Sequence, residues 1–201
     1  MKRAIVLIGW LTLCLGVLWW WLDSHFREGY GIFLPPHGTV LGEVEGVVVS
    51  SANGPSRRGV YGLEYECVEL VNRAYVQKFG HANMTRSGHA DSYYWTSWKK
   101  GLLSYPNGGT DPPQKWDTLV FDEGPDDGSV GHVALVTKID LQKKEVVFIQ
   151  QNVVVHRNPF FRKYIWQDSL LLRKDNSGRW WVDVRPPYRI PVAGWSRPNR
   201  R

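Results

Sequence analysis

A thiol at Cys67, an imidazole at His132 and the amides of Gln150 and Asn152 are the residues of this chain that could act together on an acyl carbon. A thiolate attacks such a carbon. A histidine stabilises the thiolate and then protonates the leaving amine, and a third polar group fixes the ring's tautomer. Cys67 is the only cysteine outside an apolar N-terminal run that holds Cys14, so an exported domain after that run has no internal disulfide to form. A leftover thiol in such a compartment is expected to be reactive. Taken alone, a single cysteine on an apolar helical face reads equally as a small core residue.

Two local elements must position these groups. From Cys67 the apolar residues fall at Leu70, Val71, Ala74 and Tyr75, the spacing of one buried helical face, which predicts a helix from Cys67 to Phe79 with Gly80 as its stop. Gly62 lets the chain turn before it. A thiol in the first helical turn lies near unsatisfied N–H groups and the positive end of the dipole, which favours thiolate. His132 opens an alternating run to Ile139, and residues 145–153 form a second run, a hairpin around Asp140 to Lys144. If the turn centres near Gln142, His132 faces Asn152 and lies diagonal to Gln150. A shift of one residue would break that arrangement. The alternative for His132 is a buried strand histidine bonded to backbone.

The chain has 201 residues, with 11 Trp, 20 Gly and 12 Pro, a composition that suits a compact, loop-rich α+β domain better than a helical bundle. Lys2 and Arg3 precede Ala4 to Leu22, a run without charge and long enough to cross a bilayer. It ends in Trp19-Trp20-Trp21-Leu22, which suits a membrane–water interface rather than a signal-peptidase site. Residues 1–22 therefore read as a single-pass anchor in the cytoplasmic membrane, with a cleaved export signal as the alternative. Residues 23–36 read as a linker, and 37–201 as one domain on the extracytoplasmic side. The net charge of +6 is spread over several short clusters, and nothing resembles a nucleic-acid module.

Residues 38–50 suggest a first strand, and about 89–100 a short helix whose aromatics form core or cleft wall. Residues 118–121 suggest a strand before the acidic run 122–128. That run lacks the ligand spacing of a calcium loop and reads as a solvated turn. No metal-ligand spacing occurs elsewhere, so no cofactor is expected.

The order of cysteine at a helix start, histidine on a later strand and a polar residue on the next strand is that of papain-like thiol hydrolases. The blocks Tyr65-Glu66-Cys67-Val68-Glu69-Leu70, Gly131-His132-Val133-Ala134-Leu135-Val136, Gln150-Gln151-Asn152-Val153 and Gly194-Trp195 resemble those of CHAP domains, the cysteine- and histidine-dependent amidohydrolases/peptidases. With Gly38 to Gly42, the blocks are most similar to the amidase half of glutathionylspermidine synthetase/amidase. The resemblance implies a papain-like fold, a helical layer packed on a small antiparallel sheet. It implies Cys67 as nucleophile, His132 as base and Gln150 as orienter, with Asn152 as alternative third member or substrate contact. It also implies oxyanion or substrate roles for Glu66, Gln151 and Asn72. Three positions depart from the family pattern: Gln150 replaces a glutamate, Glu66 replaces a glutamine, and Asn72 stands for a substrate-binding arginine.

The resulting expectation is an anchored thiol amidase or endopeptidase acting on peptide amide bonds, with peptidoglycan as the natural substrate. A glutathionylspermidine-type amidase and a catalytically silent binding module are the alternatives. Oligomeric state is left open.

Overall fold

The computed structural model describes residues 2–81, 84, 88–125, 128 and 130–199; of its N-terminal helix it describes the side chains at 10, 13–24 and 26. The chain divides into two compact units, Met1–Leu34 with Val154–Lys163, and Pro35–Val153 with Tyr164–Arg201.

The first unit is built on helix α1 (Lys2–Arg27). Its C-terminal turns pack on Phe161, whose ring meets Trp21 and Phe26 edge-on at 5.3 and 6.0 Å, while Trp19 and Trp20 stay exposed. Among the described residues no helix is long and apolar enough to cross a membrane. The first part of the uncharged run, residues 4–9, lies outside the described side chains.

The second unit opens with a hairpin, β1 (Val40–Val44) and β2 (Val47–Ser50), then a short ribbon, β3 (Arg58–Gly59) and β4 (Gly62–Leu63). Helix α2 (Cys67–Phe79) follows with the bounds its periodicity predicts. Gly80 ends it in the left-handed region at φ 64°, its N–H bonded to the Val76 carbonyl at 3.1 Å. The predicted helix over 89–100 is instead a single turn, α3 (Ser92–Trp95), followed by a 3₁₀ turn at Ser97–Lys100. Gly101 stops it at φ 67°.

The remaining strands are β5 (Leu102–Pro106), β6 (Thr118–Phe121), β7 (His132–Asp140), β8 (Glu145–Ile149), β9 (Val154–His156), β10 (Arg162–Tyr164), β11 (Gln167–Lys174), β12 (Trp180–Asp183) and β13 (Val192–Pro198). β9 and β10 pair with each other. The others form one sheet in the order β12-β11-β8-β7-β6-β13-β5, antiparallel at every pairing. The expectation of a small sheet under a helical layer is thus corrected: a seven-stranded sheet carries few helices. The acidic run after β6 includes residues 126 and 127, which lie outside the described residues, so the reading of that run as a turn rather than a calcium loop does too.

Side-chain alternation divides the core between two faces of the sheet. On one, Leu70, Val71, Ala74 and Tyr75 of α2 pack with Val120, Val133, Leu135 and Ile149. On the other, Leu119, Phe121, Ala134, Val136, Phe148 and Trp195 form a second cluster. Gly194 permits the crowding there: a Cβ would lie 2.2 Å from the Tyr105 carbonyl oxygen.

Candidate active site

Cys67 is the first residue of α2, where N–H groups lack intrahelical partners. Gly62, at φ 131°, and Tyr65, held in the left-handed region at φ 62°, both bend the chain ahead of the helix. Its ring lies edge-on to His37 at 4.8 Å and under Gly38, where a Cβ would meet the phenol oxygen at 3.2 Å. Glu66 caps the helix by backbone geometry alone, with no side-chain bond to the first turn. Cys67 is half-buried, and burial pushes its thiol up to about 11. The N–H of Val133 opposes that shift, the Glu66 carboxylate adds to it, and the N–H groups of Val68 and Cys67 oppose it more weakly. The thiol therefore lies against the peptide bond that follows His132, which brings α2 and β7 together at the site.

His132 is the first residue of β7, paired with Phe121 of β6. The β7–β8 ladder leaves its turn as Asp140↔Glu145, and a bulge at Thr137 shifts it to Val136↔Phe148 and Leu135↔Ile149. Extended in that frame, it would set His132 opposite Asn152. The ladder ends first, at Leu135↔Ile149, and Asn152 turns away at φ 60°. His132 Nε2 meets Gln150 Oε1 at 2.9 Å. Gln150 is fully buried and donates from Nε2 to the Ile165 carbonyl at 2.9 Å and the Tyr188 hydroxyl at 2.6 Å. Burial lowers His132 to about 4, with the Gln150 bond opposing. Both shifts favour the neutral forms, thiol and imidazole.

Other predicted site residues are placed elsewhere. Asn152 is exposed and donates from Nδ2 to Glu66 Oε2 at 2.7 Å, so Gln150 alone of the two amides holds the imidazole. Gln151 is buried, and its amide is fully engaged inside the protein. Nε2 donates to the Glu66 carbonyl and Glu69 Oε2 at 3.1 and 3.0 Å, and Oε1 accepts from Ser50 N–H and Arg73 Nη2 at 3.0 and 3.3 Å. Asn72 is also buried. It donates to the Tyr61 carbonyl at 2.8 Å and accepts from the Tyr93 hydroxyl. In this structure the side-chain amides of both Gln151 and Asn72 bond within the protein. Glu66 keeps its place beside the sulfur, but its carboxylate faces Asn152.

Sequence reasoning missed Val133, Gly131, Tyr188 and Asp168. Gly131, at φ 63°, carries His132 beneath the start of α3: a Cβ there would lie 2.9 Å from the Phe121 carbonyl oxygen and 3.2 Å from the Asp91 nitrogen. Its place just before His132 was the one available signal. Tyr188 stacks on Phe121 at 5.4 Å and 21°, and Phe121 lies 5.7 Å from the His132 ring. No local pattern in the sequence points to that contact. Among the described residues no group of three or more His, Cys, Asp or Glu is arranged to hold a metal ion.

Comparison with curated protein sequences gives no match. Among solved structures, an N-acetylmuramoyl-L-alanine amidase from Staphylococcus aureus aligns with 65% of this chain at 17% identity and a TM-score of 0.38. The chain spans about a third of that protein, 34% of its length. The family model of the CHAP domain matches residues 58–152, from β3 through Cys67 and His132 to Gln150 and Asn152. The segment that holds Cys67, His132 and Gln150 is thus a CHAP domain.

Proposed function

We propose that the chain is a cysteine-dependent amidase or endopeptidase that hydrolyses peptide amide bonds in peptidoglycan. The reading rests on one observation: within the CHAP segment, the Cys67 sulfur meets the Val133 N–H while Gln150 holds the neighbouring His132 by Nε2. That bond leaves Nδ1 of His132 as the nitrogen free to serve the thiol.

Catalysis begins from the neutral pair. As the sulfur attacks the carbonyl carbon, His132 Nδ1 takes the thiol proton, and the N–H groups at the start of α2 stabilise the oxyanion. The imidazolium returns its proton to the leaving amine, and a thioester remains on Cys67. Water then adds with His132 as base, releasing a carboxylic acid and restoring the thiol. Purified peptidoglycan incubated with the full chain should release new amino termini, detected by mass spectrometry, with none from Cys67→Ala. Equal release by that variant would refute the reading.

The same reading places the domain outside the cytoplasmic membrane, tethered by residues 4–22. Its support is the uncharged run after Lys2 and Arg3, which lies within α1. Extraction of the chain from membranes by alkaline carbonate would contradict the tether.

A second reading, a binding module without turnover, is favoured by the thiol held near 11 and by the Glu66 carboxylate beside it. Peptidoglycan binding with no bond cleaved, indifferent to thiol alkylation, would establish it. The glutathionylspermidine-type alternative draws no support from Asn72, which is buried against Tyr61 and Tyr93.

A further inference from the structure

We propose that Tyr188 and Asp168 are positioning residues that fix the direction of the Gln150 amide and thereby the tautomer of His132. The inference rests on the reading of Cys67 and His132 as a hydrolytic centre, but its first test does not need turnover.

An amide can face a partner with either end. With the oxygen toward His132, Nε2 must carry the ring proton, and Nδ1 is left with the lone pair that a base requires. With the nitrogen toward His132 the tautomer reverses and Nδ1 becomes a donor, unable to accept the thiol proton. Two acceptors decide the matter. The Ile165 carbonyl, 2.9 Å from Gln150 Nε2, can only accept, so a flipped amide would set oxygen against oxygen. The Tyr188 hydroxyl, 2.6 Å from the same nitrogen, could accept or donate, and Asp168 removes the choice. Asp168 Oδ2 lies 3.1 Å from the hydroxyl and takes its one proton, so Tyr188 accepts from Gln150. Burial, with Asp168 beside it, raises the Tyr188 phenol well above its ordinary value, so it remains a neutral donor.

The chain is held at each end. Tyr188 stacks on Phe121 and meets Phe148 edge-on at 5.9 Å. Asp168 Oδ1 accepts the Ser169 N–H at 2.8 Å, and Ser169 Oγ accepts from Arg185 Nη2 at 2.9 Å. Arg185 lies near Tyr188, and Glu66 lies near Cys67 on the α2 side of the site. Where a CHAP domain's usual glutamate would set a carboxylate on the imidazole, this chain sets one two hydrogen bonds further out. The direction of donation is the same: the ring proton sits on Nε2, and an imidazolium formed during turnover has a negative charge at the far end of the chain.

The test is the imidazole ¹⁵N spectrum of His132 in the full chain, with kcat and KM on peptidoglycan fragments measured beside it. Wild type should show one tautomer, protonated at Nε2. In Tyr188→Phe the phenol no longer holds Gln150, and in Asp168→Asn the hydroxyl can turn its proton toward Gln150. Both should show mixed tautomers and lose on the order of tenfold in kcat with KM little changed. Adding Gln150→Glu to Tyr188→Phe should restore the single tautomer, because a carboxylate can only accept. That rescue separates positioning from a general loss of packing. An unchanged His132 spectrum in both single variants overturns the proposal. A chain without hydrolytic activity whose spectrum still responds would overturn the hydrolytic reading alone.

Discussion

His132 Nε2 and Gln150 Oε1 lie 2.9 Å apart, and the bond ties a buried imidazole to an amide that carries no charge. Burial therefore decides the titration of His132, which falls from 6.5 to about 4. Between those values the unfolded chain takes up a proton that the native chain does not. Stability is full above pH 6.5 and lost as pH falls toward 4, by at most about 3 kcal/mol. Urea unfolding at pH 7.5 and 4.5 should show this loss, and His132→Gln should reduce it. A variant with the full acid loss would show that other groups carry it.

Cys67 should alkylate slowly at neutral pH, where a thiol near 11 is thiolate in only about one part in 10³ to 10⁴. The iodoacetamide rate should rise into the alkaline range. Glu66→Gln removes a negative charge beside the sulfur, so its profile should move to lower pH. A wild-type plateau already reached below pH 7 would show a preformed thiolate and contradict the neutral resting pair.

Gln151 joins α2, β2 and the exit of β8 through one amide, and Arg73 backs it by bonding Glu69 and the Val48 carbonyl. Gln151→Leu leaves the Glu66 carbonyl and the Ser50 N–H without that partner. A loss of about 1–3 kcal/mol in urea unfolding is expected. A change under about 0.5 kcal/mol would assign Gln151 no structural weight.

Gly131→Ala forces a Cβ into a left-handed residue and against the Phe121 carbonyl. A stability loss of about 1–3 kcal/mol is expected, together with a shifted His132 ring resonance. An unshifted ring would mean that Gly131 does not place His132.

Helix α2 was legible because its signals are local: apolar residues at helical spacing, then Gly80. The β7–β8 hairpin was legible for the same reason. The position of His132 was harder, since its frame depends on the bulge at Thr137 as well as on the turn. Asn152 matches His132 in that frame, yet the β7–β8 pairing stops at Leu135↔Ile149 and Asn152 turns away, and no pattern within β8 announces it. Strands β5, β11, β12 and β13 were not foreseen. The pairings of β5 and β13 are non-local, as when Thr118 of β6 meets Ser196 of β13, whereas β11 and β12 form a local hairpin. Tyr188, in a segment between strands after Pro186-Pro187, reaches Gln150 only once the whole sheet has formed.

The most direct measurement is the rate of peptide-amide hydrolysis in peptidoglycan by the full chain and by its Cys67→Ala variant, side by side at neutral pH. Clear turnover by wild type and a loss of at least about 10³-fold in the variant are expected, since the nucleophile is gone. Undiminished turnover without the thiol would contradict catalysis by Cys67.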